Sequence, residues 1–378
     1  MFPVIEASGA AQNRGRIHGV AASARIARSI ASYAALFAYC GIGWREAQAR
    51  GAAYRDMIAD LDPESLEEII GIAEGSGRHL NEILALNART EILPPSHPAE
   101  RSPDWQAIRD ANRESGVVDQ GECTAIAVPP AVSATGGTLL AQNWDWLGAQ
   151  RSALVILRIR ETDGSSCITL TEAGILAKIG FNDRGFGVCL NILRSTTDGA
   201  RPGVPVHPLL RALLKRDGVE DAIAFAGRLS FGASSNVLCA DAGGEAASLE
   251  FSPRGLRPLR GNGGALCHTN HFLAPEGGLG EAALAPSLSS VPRLARARAL
   301  IAAQSAIGIE DLKRMLRDES EGYLSICRRP DPALAAEVRL ETVASVVMEL
   351  EQRRMHVAPD VPSLAEYESV TLGEAMAA

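Results

Sequence analysis

Three turn signals in one stretch constrain this chain most. Gly136-Gly137, Asp163-Gly164 and Asn182-Asp183-Arg184 each separate two short apolar segments: 124–128 from 138–142, 154–160 from 167–171, and 178–181 from 185–191. Gly, Asn and Asp tolerate the positive φ that a tight strand reversal requires. Three hairpins in succession predict an antiparallel meander, because a parallel sheet needs a long crossover between neighbouring strands.

The segments on either side read differently. From Arg16 to Cys40 the chain is Ala-rich, and Ile17, Val20, Ala24, Ala27, Ile30, Ala34 and Phe37 keep a helical period. Further helices are expected over 44–59 and 80–90. Asp62-Pro63 supplies a cap and a first-turn residue for a helix running towards Gly75. Residues 93–120 are polar and irregular, with Pro94, Pro95, Pro98 and Pro103. Beyond the hairpins, helices are expected at 207–215, 219–228, 293–304 and 309–318. Strands are expected at 237–240, 246–251, 265–268, 342–349 and 355–357. The pattern predicts an α+β layered domain with antiparallel sheets. Residues 1–122 would form a helical segment and 123–378 the main body.

Several function classes are disfavoured. A net charge of −8 with no basic aromatic cluster argues against nucleic acid. No apolar run approaches the ~18 residues of a membrane span, and Met1–Glu6 lacks the basic start of a signal peptide. Seven cysteines without a Cys-x-x-Cys pair give no metal or redox motif and suit a reduced, cytoplasmic protein. His268 and His271 lack a third ligand at a convincing spacing, so no metal or other cofactor is expected. Gly71–Gly77 lacks the Lys and the preceding strand of a phosphate loop, and reads as a glycine-ended helix.

Cys123 sits directly before the first hairpin, and Asn143-Trp144-Asp145 lies at its far end. By itself such a cysteine is more often structural. A chain cut at Glu122–Cys123 would, however, carry a thiol and an α-amine on one residue. A free α-amine has a pKa of about 7.7–8.0, so it can take the thiol proton near neutrality. The thiol could make its own cut by attacking the Glu122 carbonyl, and would later attack a substrate in the same way.

These motifs, in order, resemble a known family. Cys123-Thr124, Gln142-Asn143-Trp144-Asp145, Thr171-Glu172-Ala173-Gly174, Gly180–Gly185, Leu190-Asn191, Ser234-Ser235-Asn236, His268-Thr269-Asn270-His271 and Ser325-Ile326-Cys327-Arg328 are similar to those of the acyl-coenzyme A:6-aminopenicillanic acid acyltransferase family. That family belongs to the N-terminal-nucleophile hydrolases, so the resemblance implies an αββα sandwich. It implies Cys123 as nucleophile, Asp145 as the carboxylate holding the new amine, and Asn270 as an oxyanion donor. Asn182 would make a second polar contact and Arg328 would lie near the nucleophile, as in related bile-salt and penicillin V hydrolases. The implied activity is a self-processing amide hydrolase or acyltransferase acting on a small N-acyl amide or acyl thioester. The cleaved fragment 1–122 would remain as a partner, and homo-oligomerisation stays open. Glu122 departs from the glycine of the penicillin enzyme. Two other readings stand beside this one: an uncut small-amide-binding protein on the same fold, and an uncut thiol hydrolase using His268 as base.

Overall fold

In the computed structural model, residues 1–94, 123–274, 289–332 and 339–373 are described. Glu122 and most of the predicted irregular stretch lie outside them.

All three reversals form, with Gly136, Gly164 and Gly185 at φ +74°, +92° and +80°. The hairpins do not make one meander. β2 (Cys123–Val128) and β3 (Leu139–Leu147) belong to one sheet. β4 (Leu154–Arg160), β5 (Ser166–Glu172), β6 (Ile179–Asn182) and β7 (Phe186–Ile192) belong to another. A short 3-10 stretch over Gly148–Ala153 carries the chain between them. Turn chemistry is local and fixes each hairpin; the assignment of hairpins to sheets depends on distant partners.

The first sheet is completed by β8 (Ser235–Asp241), β9 (Ala246–Ser252), β10 (Gly255–Arg260) and, at its other edge, β1 (Val4–Ser8), in the order β1-β4-β5-β6-β7-β8-β9-β10. The second runs β11 (Leu266–His268)-β2-β3-β12 (Leu340–Glu349)-β13 (Arg354–Ala358)-β14 (Glu368–Thr371). The sheets face each other. Where β6 has ended, Gln142 of β3 grips the free backbone of Leu190 on β7, donating to its carbonyl and accepting from its N–H. Ile126, Val128 and Leu139, on the outer face of the second sheet, pack on Leu294 of α10 (Ser290–Ala302) and Leu312 and Leu316 of α11 (Ile309–Leu316). The outer face of the first sheet carries α8 (Val206–Leu213) and α9 (Val219–Ala226). The layers are therefore helix, sheet, sheet, helix.

The N-terminal helices break where periodicity gives no warning. The predicted helix from Arg16 becomes α1 (Ala11–Ala21) and α2 (Ser23–Tyr39), and 44–59 becomes α3 (Trp44–Ala52) and α4 (Arg55–Leu61). α5 (Pro63–Ser76) starts at Pro63 as expected and ends at Gly77, at φ +66°. α6 (Leu80–Asn87) and α7 (Arg89–Ile92) follow. α1 and α5 approach so closely that a Cβ on Gly15 would lie 2.0 Å from the Glu68 carbonyl oxygen. Only glycine permits that approach, and it holds α1 to α5 while α2 turns away at Ala22.

β1 was not legible, since five residues at an edge carry too little pattern. It pairs parallel with β4, from Val4↔Ile156 to Ser8↔Arg160. The N-terminal segment therefore contributes a strand as well as helices. A buried ion cluster adds to the join: Arg14 and Arg211 both bind Glu68, and Arg211 also reaches Glu161 at 2.7 Å. No single helix among the described residues is long and apolar enough to cross a membrane.

His18 of α1 supplies a further join, its Nε2 accepting from the Gly174 N–H at 3.1 Å. Burial lowers its pKa to about 4, against the opposing pull of Glu68. Above pH 6.5 the ring is neutral in both folded and unfolded chains and the contribution is complete. As pH falls towards 4 the unfolded chain takes up a proton that the folded one refuses, and stability drops by about 3 kcal/mol. Urea unfolding at pH 7 and pH 4.5 should show a smaller acid loss for His18→Gln than for wild type. Equal losses would remove His18 from the account.

Candidate active site

Alternation along β2 points Cys123, Ala125 and Ala127 towards the first sheet, and Thr124, Ile126 and Val128 towards α10 and α11. β11 lies beside β2, with His268 opposite Ala125. The chain leaving β11 therefore brings Asn270 to the start of β2. There the Cys123 N–H donates to Asn270 Oδ1 at 2.7 Å. Arg293, fully buried on α10, donates to the Cys123 carbonyl at 2.7 Å, to Thr124 Oγ1 at 3.0 Å and to Asn270 Oδ1 at 3.0 Å. From the facing sheet, Asn191 Nδ2 also donates to the Cys123 carbonyl, at 3.1 Å.

These bonds fix which way Asn270 points. Its oxygen receives two donors, and its nitrogen donates to the Ile192 carbonyl at 3.0 Å. Turning the amide over would set nitrogen against donors and oxygen against a carbonyl. The oxyanion role expected from the resemblance needs the amide nitrogen. It is the oxygen that faces Cys123.

Asp145 is buried on β3, opposite Thr342 of β12. Thr342 Oγ1 donates to Asp145 Oδ1 at 2.6 Å and accepts from the Arg328 N–H at 2.9 Å. Arg328 thus joins the group through its backbone; burial lowers its guanidinium to about 10. Burial pushes the Cys123 thiol up to about 11. Lys178, Arg293 and a backbone hydrogen bond from Asp145 pull it down, and the Asp145 carboxylate pushes it up.

Asn182 stands apart from this group. Its Nδ2 donates to the Leu214 and Arg216 carbonyls beyond α8, and its Oδ1 accepts from Arg184 and Phe186. It closes the β6–β7 turn on the helix-facing side of the first sheet. Asn191 reaches Cys123 instead. Both lay in the quoted motifs, and the face of the sheet separates them. His268 has both ring nitrogens engaged, Nε2 with Glu250 at 2.8 Å and Nδ1 with the Thr269 carbonyl at 2.7 Å, so neither is free to serve as a base. Among the described residues no three His, Cys, Asp or Glu gather as a metal site.

The thiol side of β2 holds a second set of polar groups, of which the quoted motifs carry Glu172 but not Tyr33, Arg89 or Lys178. Glu172, at the end of β5, accepts from Tyr33 Oη of α2 at 2.6 Å and from Arg89 of α7 at 3.2 Å. Trp146 Nε1 donates to Tyr33 Oη. Lys178, 2% exposed, places its ammonium 3.6 Å from the centre of the Trp144 ring. The N-terminal helices thereby close the end of the inter-sheet space where the thiol lies.

Two facing, mainly antiparallel sheets between helical layers, with the cysteine at the first residue of a central strand, make the αββα sandwich expected from the resemblance to the N-terminal-nucleophile hydrolases. The profile of the acyl-coenzyme A:6-aminopenicillanic acid acyl-transferase family matches residues 132–363. An acyl-coenzyme A:6-aminopenicillanic-acid-acyltransferase 40 kDa form from Emericella nidulans is 30% identical over 322 residues, covering 82% of this chain and 80% of that protein. The chain belongs to this acyl-transferase family. Among solved structures, a variant of conjugated bile acid hydrolase from Clostridium perfringens matches with TM-score 0.48 and 13% identity, covering 67% of this chain and 93% of that one. Penicillin V acylase from Agrobacterium tumefaciens gives TM-score 0.35 and 12% identity, over 62% and 82%.

Proposed function

We propose that this protein is a self-processing acyltransferase or amide hydrolase with Cys123 as its nucleophile. In maturation, Cys123 Sγ attacks the Glu122 carbonyl carbon. The C–N bond breaks, the nitrogen takes the thiol proton, and water resolves the thioester to a Glu122 carboxylate and a free thiol. In turnover, the new α-amine accepts the thiol proton as sulfur bonds to the substrate carbonyl. The leaving group departs with that proton, and water or an acceptor amine attacks the acyl thioester.

In this proposal Asn270 Oδ1 holds the amine, as it now holds the Cys123 N–H. Asp145, oriented by Thr342, sets the amine's basicity through its charge. Arg328 braces Thr342, and the fragment from residue 1 stays bound through β1 and the Glu68 cluster. The substrate class is a small N-acyl amide or acyl thioester, in keeping with the names of the relatives. The observation that carries the reading is the Cys123 N–H on Asn270 Oδ1, with the thiol of the same residue facing the inter-sheet space.

Incubation with penicillin V and with a phenylacetyl thioester tests it. Acid-quenched protein should carry the phenoxyacetyl or phenylacetyl group on the peptide that begins at Cys123. An acyl label on another residue would move the nucleophile away from Cys123, and ligand retention without any label would favour the uncut binding protein instead.

A further inference from the structure

The orientation of Asn270 leaves a chemical need unmet. Attack by Cys123 places negative charge first on sulfur and then on the carbonyl oxygen of a tetrahedral intermediate, and acyl transfer needs a fixed donor or cation for that charge. The Asn270 nitrogen is committed to Ile192. Arg293 is committed to the Cys123 and Thr124 oxygens, to Asn270 and to Ser289, on the far side of β2 from the thiol.

Lys178 is on the thiol side. Trp144 pairs directly with Cys123, and residues directly opposite in an antiparallel pair have Cβ atoms about 5 Å apart on one face. The Lys178 ammonium lies 3.6 Å above that Trp144 ring. It takes no carboxylate partner within ion-pair distance among the described residues, although the side chain is fully buried. A buried ammonium whose nearest carboxylate stands beyond ion-pair distance is costly and is rarely kept without a use. Its charged neighbours are Cys123 on β2, Glu172 on β5 and Arg89 on α7, with His207 of α8 further along the same cluster. Glu172 turns one oxygen to Tyr33 and Arg89 and leaves Oε2 unpartnered.

We propose that Lys178 is a further catalytic residue, whose ammonium stabilises the anionic sulfur of Cys123 and the oxyanion formed when that sulfur attacks. This rests on the reading of Cys123 as nucleophile. Burial lowers the Lys178 ammonium to about 7, with Glu172 opposing. A thiolate beside it raises that value again, so cation and thiolate stabilise each other. A lysine here also explains why Trp144 and Trp146 line this face: their rings accept the cation without neutralising it.

The test is carried out on the processed protein, with Lys178→Met and Lys178→Arg beside wild type. Alkylation of Cys123 by iodoacetamide against pH, read on its own peptide, gives the thiol midpoint. Wild type should titrate below the value of about 11 to which burial pushes the uncut thiol, because the new α-amine adds a second cation beside it. Lys178→Met should raise the midpoint by about one pH unit or more, and Lys178→Arg should restore most of the difference. With the phenylacetyl thioester, kcat should fall about 100-fold in Lys178→Met while KM stays within about twofold. A KM rise at unchanged kcat would overturn the proposal and make Lys178 a substrate-binding residue. Should Lys178→Met fold poorly, Lys178→Gln is measured in its place, and a thiol midpoint equal to that of wild type in whichever of the two folds would overturn the proposal. If Cys123 takes no acyl label in wild type, the nucleophile reading itself fails; if it does and the variants match wild type, only the role of Lys178 fails.

Discussion

Cys123→Ala should remain one chain of 378 residues by intact mass, while wild type resolves into fragments 1–122 and 123–378. The substitution removes the only atom that the proposed cut uses as nucleophile, and it leaves the fold alone. The thiol is small, and its backbone neighbours Asn270, Asn191 and Arg293 bind the main chain and not the sulfur. Acyl transfer should fall by about 10⁴-fold or more, because the same atom would form the acyl-enzyme. A wild type that stays intact after long incubation, or an alanine variant that is still cut, would refute self-processing by Cys123.

Arg293→Gln should have the second largest effect, on two readouts at once. The guanidinium satisfies four oxygens, those of Cys123, Thr124, Asn270 and Ser289. Glutamine cannot reach that set, so several buried acceptors lose their donor at a total cost of about 3 kcal/mol. Asn270 also loses one of the two donors that hold its oxygen towards Cys123, and the amide becomes free to turn. The cut should slow and kcat should fall about 100-fold even well below the melting temperature. Arg293→Lys, which keeps the charge and loses the fork, should recover stability better than rate. A rate that recovers in step with stability would reduce Arg293 to a structural residue.

The turns were legible because Gly136 and Gly164 act on their immediate neighbours alone; the third reversal takes its positive φ at Gly185, one residue beyond Asn182-Asp183-Arg184. Cys123, Asp145 and Asn270 were legible through resemblance, since the motifs carrying them are short and ordered; the structure brings their elements together at the open end of β2. What failed depends on which face a strand turns to the core. Asn182 and Asn191 are the same residue type in neighbouring strands. One faces α8 and the other faces Cys123, and no local pattern distinguishes the two. Lys178 carries no sign of burial in the sequence, because a lysine is expected in water; its burial is imposed by Trp144, Glu172 and the helices above them. Arg293 appeared only as the start of a predicted helix. β10 and β14 are short edge strands whose exposed residues lack an alternating signal.

β1 has a consequence for the life history of the molecule. It comes from the first residues of the chain, yet it lies along β4, inside what would become the other fragment. While the chain is continuous, β1 docks at the high effective concentration of a tether. Scission at residue 122 removes the tether and leaves every hydrogen bond in place. The cut protein would therefore be a molecule that folds once. Its two pieces hold together by slow unfolding, and once separated they would have to meet as strangers. Its endurance would be measured by a half-life and not by an equilibrium.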